Sequence, residues 1–219
     1  MFKRNQIEEA LARVIQPGTA TLSSEMAGRV KRLLELDRAR GRNKHSQDPA
    51  KANFAFYGVK SPGRGHDNPF SEFEAFALLI GVQLMRHGLP QRRVVSLLRR
   101  LRPELEWHHA RILREDPSSL FDEASLIRAR VKPGQMAVDN ADPTFVVVYS
   151  EQGRRESMSV AICRGEREAF DLYHRCGPGY AFTLTELVNF AHALSAALAR
   201  ATPQKRGRAR LIANKGRSQ

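Results

Sequence analysis

The chain has 219 residues, 36 Lys+Arg against 23 Asp+Glu and a net charge of +13, enough length for one large or two small domains with a real core. Hydrophobic residues make up 42%, which marks a globular protein, and the longest apolar stretch, near residues 75–85, is interrupted by Gln83 and too short to span a bilayer. No signal-peptide run opens the chain and two cysteines make no disulfide framework, so a reducing cytoplasm is the expected address.

A first helix is predicted over residues 4–15, with Ile7, Leu11, Val14 and Ile15 on one face, and Pro17-Gly18 stops it. A second starts after Ser23 or Ser24 and runs to Gly41, its apolar side formed by Leu22, Met26, Val30, Leu33 and Leu34. The polar run from Arg42 to Pro49 reads as a loop, Asn53-Phe54-Ala55-Phe56-Tyr57-Gly58 as a short strand or aromatic segment, and residues 61–69 as irregular. Ser71-Glu72-Phe73-Glu74 is a capping box opening a helix with Phe73, Phe76, Ala77, Ile80 and Leu84 on one face. After the turn His87-Gly88-Leu89-Pro90, a helix over 91–101 is expected to turn Val94, Leu97, Leu98 and Leu101 inward and Arg92, Arg93, Ser96, Arg99 and Arg100 outward. Pro103 should break it before a further helix over 105–113.

Asp116-Pro117-Ser118-Ser119 is the expected domain boundary. Beyond it, β-branched and alternating residues predict a hairpin over 144–164. Thr183-Leu184-Thr185-Glu186 reads as a second capping box, opening a helix with Leu184, Leu187, Val188, Ala191, Leu194 and Leu198 on one face. The fold expected is therefore α+β: a mainly helical, winged-helix-like N-terminal domain (1–116), a small α/β C-terminal domain (117–202) with a β-hairpin and an amphipathic helix, and a disordered basic tail (203–219).

Charge is segregated along this plan. Residues 1–116 carry 21 basic and 13 acidic side chains, residues 117–202 carry 9 and 10, and residues 203–219 carry 6 and none. Basic ends around a neutral middle suit a phosphate backbone, where neutralised phosphates release counterions. Two helix pairs compete to present that charge. Residues 4–15 and 24–41 are joined by a long connection; 73–85 and 91–101 are joined by a short, glycine-containing turn whose second helix exposes arginines.

A helix pair, a loop with an aromatic-rich segment, then two helices across a Gly-containing turn resembles the MerR-type DNA-binding domain over about residues 4–102. The residues that carry the resemblance are Phe56-Tyr57 and the stretch from Leu79 through Gly88-Leu89-Pro90 to Leu97-Leu98. The connection between the first two helices departs from that family's compact turn. The resemblance implies a bacterial transcriptional regulator that binds double-stranded DNA as a nucleoid-associated homodimer. Residues 24–41 would be the recognition helix, 42–65 a basic wing and 73–101 a supporting pair. With no sustained heptad, dimerisation falls to residues 120–200.

The expected DNA contacts are Arg29, Lys31, Arg32, Arg38 and Arg40 on the second helix, Arg42, Lys44 and Arg64 in the loop, and Arg92, Arg93, Arg99 and Arg100 on the later helix. Lys205, Arg206, Arg208 and Arg210 add the tail. The alternatives are a non-specific nucleic-acid or scaffold protein using its basic ends, and a small Cys/His enzyme. Cys163, His174, Cys176 and His192 lack the paired spacing of a zinc site, Gly63-Arg64-Gly65 lacks the strand and lysine of a phosphate loop, and no nucleophile–base pair stands out. No cofactor, metal or catalytic residue is therefore expected. In Glu106-Trp107-His108-His109, the tryptophan reads as a packing anchor and the histidines as surface groups.

Overall fold

Every residue from Phe73 to Met85 is buried, and the reason lies in the composition: Ala75, Leu78, Leu79 and Val82 fill the faces that the Phe73–Leu84 stripe leaves open. A helix apolar all round belongs in the middle of a core, and the other elements assemble on it. In this computed structural model, which describes residues 1–58, 69–121, 142–151 and 158–203, the helical part comprises α1 (Arg4–Ile15), α2 (Ser24–Arg40), α3 (Pro49–Ala52), the central α4 (Glu72–Arg86), α5 (Gln91–Ile112) and α6 (Pro117–Leu120). It is followed by β1 (Thr144–Glu151), β2 (Ser159–Arg164), α7 (Gly165–Cys176), β3 (Tyr180–Glu186) and α8 (Val188–Arg200). The architecture is α+β. Around α4 pack α2, α5, α8 and the edge of β3. Gly81 is needed at one close approach, since a Cβ there would stand 3.3 Å from both Leu98 and the ring of Phe56. No helix among the described residues is long and apolar enough to cross a membrane.

The ends of α2 and α4 follow the sequence closely. Ser23 Oγ accepts from Met26 N and Gly41 follows the last turn of α2; Ser71 and Glu74 form their reciprocal box at α4. The second box does not form. Thr183, Leu184 and Thr185 belong to β3, paired antiparallel with β1 (Val148 opposite Thr183, Val147 opposite Leu184). The helix starts at Val188, and Glu186 caps it by accepting from Val188 N and Asn189 N, both at 2.8 Å. A Thr-Leu-Thr alternation suits a pleat as well as a helix start, and pairing with a buried neighbour decides it.

The predicted hairpin is present as β1 and β2, and the sheet order is β2-β1-β3. Both faces are covered. Val146 and Val148 join the large helical core, while Phe145, Val147 and Cys163 pack with Ala169 and Leu172 of α7. Helix α7 was not among the expected elements, yet its signals are in the sequence: Glu166 and Glu168 in the first turn, His174 and Arg175 in the last and Gly177 at its end, with Ala169 and Leu172 turned onto the sheet. The composition changes near Asp116, where α6 begins, yet Leu187, Val188, Ala191, Leu194 and Leu198 of the C-terminal segment lie in the same core as Ile7, Leu11 and the large apolar side chains of α4. Residues 61–68, 152–157 and the tail from 204 lie outside the described residues.

Helix α5 corrects the expected break, because it runs unbroken through Pro103. Proline there deprives the Arg99 carbonyl of its usual donor, and the Asn53 side-chain amide takes that place at 3.4 Å. Residues 53–58 form no strand. Their backbone is satisfied by side chains instead: Ala55 N and Phe56 N donate to Asp37 Oδ2, each at 2.9 Å, and Arg102 Nη1 donates to the carbonyls of Phe54, Ala55 and Tyr57. This seats Phe54, Ala55, Phe56 and Tyr57 in the core without a neighbouring strand.

Arg99, expected outward, is 2% exposed and Asp37 fully buried. Arg99 Nε donates to Asp37 Oδ1 at 2.6 Å, Nη2 to the Asp37 carbonyl at 2.5 Å and Nη1 to the Ala50 carbonyl at 3.3 Å. Removing one member of a buried pair strands the other charge. Arg99→Ala should therefore cost about 3–5 kcal/mol in chemical denaturation, while Arg100→Ala, one residue on but exposed, should stay within about 0.5 kcal/mol. Equal effects of the two would contradict the assignment.

His109, expected at the surface, is 5% exposed and stacked on Phe76 with ring centroids 4.5 Å apart. Burial, opposed by Glu72 and reinforced by His192, lowers its pKa to about 4. The unfolded chain therefore takes up a proton that the folded chain refuses between about pH 6.5 and 4. Stability is fully present above that window and declines as pH falls through it, by about 3 kcal/mol in all. In denaturation at pH 7.5 and pH 4, the His109→Phe variant should gain on wild type by about that amount at the lower pH; parallel declines would exclude His109 as the cause.

Candidate nucleic-acid interface

In α2 the residues Arg29, Arg32, Leu36 and Arg40 recur at three- and four-residue spacing, so they share one face. Val30, Leu33, Leu34 and Asp37 occupy the buried face. Lys31 and Arg38 fall about half a turn from Arg29, at roughly 100° per residue. The arginine face looks onto the α4–α5 turn. Gly88 adopts the left-handed conformation there (φ +88°), which glycine enters without strain, and Leu89 N bonds back to the Leu84 carbonyl. The turn brings Pro90, Gln91 and Arg92 beside α2.

Between them lies a cleft whose central part, about 540 Å³, is bounded by Arg32, Glu35, Leu36, Ala39, Pro90, Gln91 and Arg92. It continues in one direction to Arg40 and Val95 and in the other to Glu25, Gly28 and Arg29. The floor is apolar and the rim is basic. Arg29 is held by Glu25 (2.6 Å) and Lys31 by Glu35 (3.8 Å), both exposed pairs one helical turn apart. Among the described residues, Arg32, Arg40 and Arg92 have no carboxylate within ion-pair distance. The start of α5 adds to this polarity, since its cap residue is Pro90, no side chain caps its first turn, and that turn holds no acid. The positive end of the helix dipole thus opens beside Arg92 and Arg93.

The other expected contacts scatter. Arg93 and Arg100 lie exposed along the outer side of α5, and Lys44 is exposed in the loop before α3. Arg42 donates to the Gly58 carbonyl at 3.0 Å. Arg38 is exposed beside the Tyr57 phenol, whose pKa burial raises and Arg38 lowers. Arg99 is spent on Asp37. Arg64, Lys205, Arg206, Arg208 and Arg210 lie outside the described residues.

Two residues that matter were missed. Asp37 is an acid on the core face of an otherwise basic helix, three and four positions from Leu34 and Leu33, and that placement is a readable sign of a buried partner. Arg102 follows Leu101 at a position that reads as surface, yet it spans Glu74 (3.8 Å), the Phe73 ring and three carbonyls. Trp107 is the opposite case: expected as an anchor, it is 62% exposed.

Among the described residues Cys163, His174, Cys176 and His192 do not come together as a ligand group. Burial, the largest influence, pushes the Cys163 thiol up and keeps it protonated. Cys176 ends α7, His174 meets the ring of Tyr173 edge-on, and His192 packs against Phe121. Among the described residues no three His, Cys, Asp or Glu side chains gather as metal ligands do. Comparisons with protein-family profiles, with curated proteins and with solved structures found no match for the chain.

Proposed function

We propose that the chain is a sequence-specific regulator that binds double-stranded DNA through the cleft face of α2 and the start of α5. One observation carries this reading: Arg29, Arg32, Arg40 and Arg92 converge on one surface, three of them without an acidic partner among the described residues, beside an uncapped helix N-terminus. Guanidinium groups and backbone N–H donors together suit phosphate oxygens. A helix fits the major groove, about 12 Å wide, and α2 offers arginines over about 16 Å from Arg29 to Arg40 at 1.5 Å per residue.

In this reading α1 and α2 form a winged-helix-like reader of the MerR type, with α4 and α5 as its support. The order helix, helix, aromatic segment, helix, glycine turn, helix favours it. Arg32 reads base edges, Arg92 holds phosphates, and the basic tail adds affinity without sequence preference. Homodimerisation through the C-terminal segment and residence on the nucleoid belong to the same proposal.

The test uses a duplex selected from a random pool, compared with an unselected duplex over a range of salt. Arg92→Ala should weaken both and lower the salt slope by about 1. Arg32→Ala should cost roughly 5- to 150-fold on the selected duplex alone. Lys31→Ala, on the far side of α2, should change little. If wild type binds both duplexes equally at physiological salt, specific regulation is excluded, and a non-specific nucleic-acid binder remains.

A further inference from the structure

From the structure we infer that the outer face of α5 is a binding site for single-stranded DNA, with Trp107 as the platform on which an unpaired base stacks. The inference rests on the nucleic-acid reading of the adjoining cleft and extends it to a second form of the ligand.

Arg93, Arg100 and Trp107 are seven residues apart along α5, so they fall on one stripe that drifts by only about 20° per step. At 1.5 Å per residue the stripe is about 21 Å long, and it begins beside Arg92 at the cleft. All three side chains are exposed. A tryptophan that is 62% exposed on a long, well-packed helix leaves a large apolar ring in water. Its one ring contact among the described residues is perpendicular, with His108 at 4.7 Å, so a ring face stays uncovered.

The charges around the ring decide what reaches it. Glu104 stands one turn before it; Glu106 beside it is drawn to Arg102 at 3.7 Å; Arg111, one turn after, is engaged by Thr144, Glu115 and Asp142. Phosphates are therefore favoured at Arg93 and Arg100 rather than at Trp107, whose neighbours along the helix include Glu104 and Glu106. A neutral base is the part of a strand that fits there. In a paired duplex the base faces are already stacked and only edges are offered in the grooves, so a platform of this kind selects unpaired bases. The α2 cleft and the α5 stripe then contact the two forms of DNA that meet wherever a duplex opens.

Trp107 is the sole tryptophan of the chain, so its fluorescence reports on this ring alone. The full chain is titrated with a twenty-nucleotide oligothymidylate, an oligouridylate of the same length and a blunt mixed-sequence duplex. Oligothymidylate should quench the emission and the duplex should leave it nearly unchanged. By fluorescence anisotropy of labelled DNA, Trp107→Ala should weaken oligothymidylate binding roughly 5- to 100-fold and duplex binding less than twofold. Trp107→Phe, which keeps a stacking ring, should recover most of the loss. Absence of quenching, equal losses on both ligands, or Phe no better than Ala would overturn the site. Oligouridylate bound tenfold more tightly than oligothymidylate would overturn its assignment to DNA. The Arg32→Ala and Arg92→Ala variants separate this inference from the cleft: they act on the duplex, so each reading can fail while the other stands.

Discussion

A carboxylate and a guanidinium taken out of water must find partners for all their remaining hydrogen-bonding positions, and Asp37 and Arg99 find them by drawing two further segments onto themselves. Arg99 reaches from α5 to the Asp37 side chain, to the carbonyl at the end of α2 and to Ala50 in α3. The second Asp37 oxygen takes the N–H groups of Ala55 and Phe56. One ion pair thereby sets the separation of α2 and α5, anchors α3 and holds the aromatic segment in an extended form. The cleft exists because these two helices are pinned near its floor while their arginines stay at its rim.

Arg102 repeats the arrangement one turn later at the margin of the core. Its guanidinium replaces the strand that residues 53–58 would otherwise need, and it lies over the Phe73 ring at 5.0 Å. Together Arg99, Arg102 and Asn53 let an irregular segment be buried in a helical protein. The same Asn53 supplies the donor that Pro103 removed, so the continuity of α5 and the seating of the aromatic segment depend on each other.

Much of the fold was legible where local chemistry is self-sufficient. The capped ends of α2 and α4, the turn at Gly88 and the hairpin strands follow from caps, a glycine and alternation. What was not legible needed a distant partner. The Pro103 break looked certain without Asn53 fifty residues earlier, and β3 looked like a helix start without β1 beside it. Periodicity placed Arg99 outward because arginine is ordinarily a surface residue, and only the acid on the facing helix reverses that expectation. For the same reason the basic candidates could be named but not sorted. Arg29, Lys31, Arg32, Arg38 and Arg40 were expected together as contacts; helical spacing divides them once the buried face of α2 is known, whereas the choice of Arg92 as companion depends on how the α4–α5 turn folds back. Trp107 was misjudged because aromatic residues are usually anchors, and a helix wheel drawn through an interrupted α5 cannot show that it shares a stripe with Arg93 and Arg100.

The contact between α1 and α8 carries a consequence for the order of events in time. Gln6 and Asn5 bond the carbonyls of Ala201 and Thr202, and the face of α1 bearing Ile7 and Leu11 is buried in a core shared with α8. During synthesis the first helix emerges long before its partner. At about 5–20 residues per second, the interval is on the order of ten to forty seconds, during which that apolar face has no native cover. Docking of α8 against α1 is thus a late step in synthesis, and the apolar face of α1 waits for it.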